Sequence, residues 1–284
     1  MSFSATPAPT HADAKTDVVV ANFTTVGRFF FALAVTASGI QQLVIADFVR
    51  LVPKLPAWIP WQPFWAYAVG VLLVLTGVEI LIGKRTQAAS IVLGSIIFLC
   101  FLCRHLPIAL TNPLVGYVWT NPFKVLALCG GTGILATIVS AKTTDGSLRI
   151  FQAAGKWYLT GRVLFAVFLV VCGVQHFVYV DFVVTLVPAY IPGHTFWAYF
   201  TGVALILGGA GLLFPKTARL AALSSGVMIL LWVVMLHIPR ALADRHNAGE
   251  TSAIFEALAL SGVAFLVAGT VGQKVDRASR PNTP

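Results

Sequence analysis

The chain reads as an all-α membrane protein with eight transmembrane helices, arranged as two parallel-repeat four-helix bundles. Three observations carry that reading. Of 284 residues, 58% are hydrophobic and only 10% are charged, with a mean hydropathy of +0.86, whereas a soluble domain carries about 25% charged residues. Apolar segments of spanning length occur eight times. The second half of the chain repeats the first. An ordinary soluble enzyme is thereby excluded.

A bilayer core about 30 Å thick needs about 20 apolar residues at a rise of about 1.5 Å each. The segments that satisfy this are 26–46, 64–83, 88–110, 122–141, 159–180, 196–214, 217–242 and 252–271. Helices suit them because each backbone group is satisfied within its own span. Around them lie a polar N-terminal tail (1–22), a linker (143–157) and a basic C-terminal tail (273–284), leaving repeats over 23–142 and 158–272. The tail lacks the basic-then-apolar order of a cleavable signal peptide, so the first span is expected to insert itself.

The repeat is visible residue by residue. Ala57 to Gly70 aligns with Ala189 to Gly202 at eight identities in fourteen positions. His105-Leu-Pro matches His237-Ile-Pro, Gly27-Arg28 matches Gly161-Arg162, and Asp47-Phe48 matches Asp181-Phe182. Each unit holds four spans, an even number, so the two enter from the same side and relate by an axis along the membrane normal. Thirteen Lys and Arg fall on the side of both termini against six on the other. Positive loops stay inside, which predicts an inner-membrane protein with both termini cytoplasmic.

Within the spans the polar residues are placed in order. The first carries Gln41 and Gln42 four or five residues from its outer end, and the fifth carries Gln175 and His176 at the equivalent places. Between spans one and two, and again between five and six, lies a Pro- and aromatic-rich stretch, 47–63 and 181–195, with Leu-Val-Pro ending at Pro53 and Pro188. Fixed proline φ and interfacial Trp and Tyr predict a rigid loop on the membrane surface. Span two carries Glu79, whose nearness to Lys84 and Arg85 suggests interfacial pairing. Spans three and seven bring His105 and His237 to the level of the glutamines, beside Arg104 and Arg240. Lys124 and Glu256 hold equivalent positions with opposite signs, either meeting across the axis or acting as separate interfacial anchors.

Polar groups in hydrocarbon face a bundle interior or a wet cavity, and three readings of this layer stand side by side. Gln42 could bond His105 and His176 could bond His237, joining helices at about 0.6–2 kcal/mol each. The same groups, with Gln41, Gln175, Arg104 and Arg240, could hold the carbonyl of a quinone. His176 and His237 could ligate haem, although Gln42 at the matching place is no strong iron ligand. Cys100 and Cys103, three apart before Arg104, share a face and form a conceivable redox pair; buried small hydrophobes are the plainer reading.

The pattern Gly173-Val-Gln-His-Phe177, Asp181-Phe182, Leu186-Val-Pro188, Ala189-Tyr-Ile-Pro192, Phe196-Trp-Ala-Tyr199 and His237-Ile-Pro239 resembles the DoxX-like membrane protein family, here in tandem. The resemblance implies four-helix units, and accessory roles in quinone-coupled sulfur or thiol redox complexes, or assembly and cargo functions. Gln42 in place of His176, with three extra residues before Pro60, makes the second repeat the better match for a ligand site. The expected function is an accessory or quinone-binding subunit of a membrane redox system, with a redox enzyme or other membrane protein as partner besides the bilayer. A non-enzymatic scaffold or assembly factor is the alternative; a small-solute transporter is a third, weakened by the lack of broken helices. The basic residues are scattered rather than striped, which argues against nucleic acid. No nucleotide fingerprint, zinc-protease motif or nucleophile elbow is present, which argues against hydrolysis and phosphoryl transfer and names no metal ligands.

Overall fold

A computed structural model describes the backbone of residues 11–52, 54–140 and 148–278, and the side chains of 22–52, 54–138 and 156–270. Pro53, the first five residues of the expected linker (143–147) and the extreme termini lie outside the described residues, and the rest of that linker is helical. Every described element is helical. Eight helices are long and apolar enough to cross a membrane: Asn22–Ile45, Gln62–Ile82, Thr86–Thr111, Gly116–Ile138, Lys156–Val178, His194–Leu213, Ala218–Ala243 and Ala248–Thr270.

The first span belongs to α1 (His11–Ile45), which starts within the segment expected to be a tail, and the second is α2 (Gln62–Ile82). The third is built from α3 (Thr86–Cys100), a π-helical turn (Phe101–His105) and α4 (Leu106–Thr111). A 3-10 turn, Gly116–Trp119, leads into α5 (Thr120–Ser140). Then follow α6 (Leu148–Val178), a short helix α7 (Val180–Leu186) and α8 (His194–Leu213). The seventh span is α9 (Ala218–Trp232), a second π turn (Val233–His237) and α10 (Ile238–Ala243); α11 (Ala248–Ala278) is the last.

Both π turns stop on the histidine two residues before a proline, Pro107 or Pro239. Proline has no N–H and its ring clashes with the carbonyl four residues back. A π turn displaces that carbonyl and lets the helix continue past the ring. At Met235, four residues before Pro239, the freed carbonyl accepts a hydrogen bond from the Tyr190 hydroxyl, pinning the α7–α8 loop to the seventh span. The loop between α1 and α2 and that between α7 and α8 also end alike. Trp61 (φ 59°) and Gly193 (φ 72°) both enter the following helix from the left-handed region. Only glycine takes that conformation freely, so Trp61 is the strained member.

Helices pack in chain order within each half, α1 on α2, α2 on α3, α3 on α5, and likewise α6 on α8, α8 on α9 and α9 on α11. The halves are then joined by two broad seams, α1 on α11 and α5 on α6, with α5 and α11 also touching. Small residues close both seams. A Cβ added at Gly27 would stand 2.6 Å from the Leu266 nitrogen and 2.7 Å from the Gly262 oxygen; one at Gly161 would stand 2.7 Å from the Gly130 oxygen. Backbones this close leave room for no side chain. The span within α11 is the most enclosed, with 83% of its most apolar window buried.

Two small expectations fail. Glu79 makes no ion pair with Lys84 or Arg85 among the described residues. The membrane-surface stretch 181–195 is partly helical, as α7, rather than a loop throughout.

At the loop after α1, Lys54 donates to Asp47 Oδ2 at 2.7 Å while Asp47 Oδ1 accepts from the Phe48 N–H at 2.8 Å. The Lys54 hydrogen bond holds the Asp47 carboxyl below its ordinary 3.8, against a smaller opposing push from burial. A carboxylate with a depressed folded pKa stabilises the fold above its unfolded value, and the contribution is lost as pH falls through the folded value. Both side chains are about half exposed, so the pair contributes no more than about 1 kcal/mol. Asp47→Asn is expected to lower the thermal midpoint slightly at neutral pH. In fluorimetric melts that difference should vanish well below 3.8.

Candidate functional site

Gln41 and Gln175 are hydrogen-bonded to neighbouring helices. Gln41 Nε2 donates to the Ala248 carbonyl at 2.8 Å, and the Ser252 hydroxyl donates to Gln41 Oε1 at 3.0 Å. Gln175 does the same in the other direction: its Nε2 donates to the Gly116 carbonyl at 2.9 Å and its Oε1 accepts from Thr120 at 2.7 Å. Each carboxamide thus ties the opening helix of one half to the closing span of the other. Each lies on one of the two glycine seams. Each carboxamide has one donor and one acceptor engaged across its seam, which fixes its orientation there.

Gln42 is fully buried and donates to the Ala66 carbonyl of α2 at 2.7 Å, while its Oε1 has no partner. His105 is also buried, and its Nε2 has no partner. The expected Gln42–His105 bond is therefore not made. Neighbouring residues on a helix diverge by about 100°, so Gln41 turns to α11 and Gln42 to α2.

Cys100 is buried and Cys103 exposed, both as free thiols. A π turn begins at Phe101, between the two cysteines. Arg104 is exposed beside Cys103.

The second half is different. His176, Trp232 and His237 line one cavity of about 180 Å³ together with Phe168, Leu169, Cys172, Leu205, Ile229, Ala253, Glu256, Ala257, Leu260 and Arg50. Its walls come from α6, α8, the seventh span and α11, and Arg50 comes from the segment after α1 in the first half. The cavity is apolar apart from a few polar groups, the ordinary make-up of a small-molecule site.

His176 Nδ1 donates to the Cys172 carbonyl one turn back at 2.9 Å, and its ring stacks with Trp232 at a centroid distance of 6.4 Å. With the proton on Nδ1, Nε2 of the neutral ring is an acceptor. His237 Nδ1 is buried without a partner. The direct His176–His237 bond is not made; the two rings instead line one space. Glu256 pairs with Lys124 at 2.9 Å, with side chains 8% and 14% exposed. The two meet between α5 and α11, rather than acting as separate anchors.

Arg240 does not enter the cavity lining. It grips Glu250 with both Nε (3.1 Å) and Nη2 (2.6 Å), and Nη1 donates to the Leu186 carbonyl at 3.3 Å. This fork fixes the start of α11 and the end of α7 to the seventh span, and so holds the cavity's outer rim.

Arg50 is the charged lining residue that reading the sequence for a ligand layer misses. Arg50 sits in a loop, where only the packing of α1 on α11 brings it over the second half. Glu256 was visible as a charge within a span, but not its place on a cavity wall. Pockets for drug-sized molecules occupy roughly 300–1,000 Å³, so a porphyrin between His176 and His237 does not fit a space of about 180 Å³. Among the described residues no three His, Cys, Asp or Glu side chains converge as metal ligands.

The model of a family described as a domain of unknown function, DUF8561, matches residues 165–271. That stretch of the chain is similar to the family, and it contains every cavity-lining residue except Arg50. No curated protein and no solved structure matches the chain.

Proposed function

We propose that the protein is a tandem DoxX-like inner-membrane protein of two duplicated four-helix units, both termini cytoplasmic, that binds a quinone-class ring in its second half as an accessory to a membrane redox system. The observation that carries the reading is the cavity, with two histidines at one apolar space and a buried ring nitrogen, His237 Nδ1, lacking a partner. A buried polar group without a partner costs about 1–3 kcal/mol, and a carbonyl or hydroxyl of a guest removes that cost. An apolar cavity of roughly 150 Å³ accepts benzene, so about 180 Å³ suits a single substituted ring. His176, with Nε2 as acceptor, suits a hydroxyl; His237 suits either oxygen form, by choice of tautomer.

The duplication is supported by the paired features already described. The glycine seams, the carboxamide ties and the π turns each occur once per half at corresponding places. The ties run from each half into the other, so the units are interlocked rather than merely side by side.

The test is solvent extraction of protein purified in mild detergent, followed by mass spectrometry. A ring compound in near-equal amount to protein is expected from the wild type and from the outward-facing variant Leu220→Ala, and not from His237→Ala or Trp232→Ala. A scaffold or assembly factor predicts ordinary phospholipid from all four.

A further inference from the structure

Around the cavity the formal charges can be matched one by one. Glu256 on the wall is paired with Lys124, and Glu250 at the rim is paired with Arg240. Arg50 lines the same cavity and makes no ion pair among the described residues. Lys54, the other cation of its loop, is held by Asp47. The guanidinium reaches the start of α11, standing 3.6 Å from where a Gly249 Cβ would be. Three cations, Lys124, Arg240 and Arg50, thus stand against two carboxylates, and Arg50, the one without a bonded carboxylate, is exposed at the mouth of the space.

That surplus belongs to one half only. The corresponding stretch of the second half, Asp181 to Thr195, contains no Lys or Arg. Whether aligned on the aspartate or on Leu-Val-Pro, Arg50 corresponds to Val184 or Thr185. In the first half Gln42 is turned into α2 and fully buried. Cation, two histidines and cavity thus coincide at a single place, which the first half completes by reaching across.

We propose that Arg50 makes this cavity selective for a ring-borne oxyanion, a carboxylate or phenolate on a single apolar ring, over its neutral isostere. Near low-dielectric walls a charge-assisted hydrogen bond from guanidinium to oxyanion is stronger than a neutral one. The fork of five donors also fixes the orientation of the oxygen at the mouth, with the ring directed towards Trp232 and Leu205. The inference rests on the cavity being a ligand site. It adds the charge of the group that faces Arg50.

The experiment compares para-hexylbenzoate with para-hexylbenzamide, equal in shape and different in charge, by calorimetric titration into protein in phosphatidylcholine nanodiscs. Wild type is expected to prefer the benzoate by about tenfold, or about 1.4 kcal/mol. Arg50→Gln should abolish the preference while keeping benzamide affinity, and Arg50→Lys should keep part of it. Ala257→Phe, which fills the cavity, should lose both probes. If wild type binds both equally and Ala257→Phe loses both, the cavity is a ligand site and the charge selection is wrong. If Arg50→Gln retains the preference, Arg50 is not its source. If neither probe binds wild type, this inference and the cavity reading fall together.

Discussion

Lys124→Met is expected to lower the unfolding free energy in detergent by on the order of 3 kcal/mol, because it leaves the Glu256 carboxylate buried without its cation. Its mirror, Glu256→Leu, strands the ammonium and should cost a similar amount. Reversing both charges, Lys124→Glu with Glu256→Lys, keeps the pair and should recover more than half of the loss. Replacing both with apolar residues of similar volume should also recover much of it, since a buried pair offers little net stability over a well-packed apolar contact. Single variants whose effects simply add in the double reversal would mean the two groups act independently. The pair joins α5 to α11, so it ties the two halves to each other. Because Glu256 also lines the cavity, the Lys124 variant should disturb ligand retention as well as stability.

Gly27→Ala and Gly161→Ala should each destabilise the protein by about 1–3 kcal/mol, the usual cost of forcing extra volume into a packed contact. The sign decides the matter. At an unconstrained helical position, glycine to alanine stabilises by up to about 1 kcal/mol through helix propensity alone. Here the added carbon would meet backbone on the facing helix, at 2.6 Å from Leu266 N and 2.7 Å from Gly130 O, and backbone cannot swing aside as a side chain can. Denaturant-driven unfolding in mixed micelles measures the difference. A gain in stability for either variant would show that the seam is looser than described.

Much of the fold was legible because hydrophobicity and length alone define a spanning helix, and the eight segments read from the sequence overlap the eight observed spans. Seven of the eight starts fall two to six residues late, and two of them share a cause. The fourth span begins at Gly116 rather than 122, and the eighth at Ala248 rather than 252. Thr120 and Ser252, the hydroxyl residues nearest those two boundaries, are hydrogen-bonded to Gln175 and Gln41. Hydropathy counts a hydroxyl as a cost, and only the partner on another helix removes that cost.

The polar layer was legible in depth but not in direction. Spacing along a helix gives height in the membrane, and His105, His237, Gln42 and His176 were placed by it. Which neighbour each side chain meets depends on helix packing. Gln41 and Gln175 therefore prove to be ties between halves, and Arg240 a fork for Glu250. A π turn begins between Cys100 and Cys103, and the proline two residues after His105 goes with it. His-x-Pro within an apolar helix was a signal for that turn, recurring in both halves.

The account turns on one space in the second half being occupied by a ring compound. A cryo-electron microscopy map of the protein in nanodiscs, at a resolution that shows side chains, addresses it directly. Flat density is predicted between the His176–Trp232 stack and His237, reaching towards Arg50, with none between Gln42 and His105. A map in which side chains collapse into the second-half cavity, or in which the only ring-shaped density lies elsewhere, would contradict it.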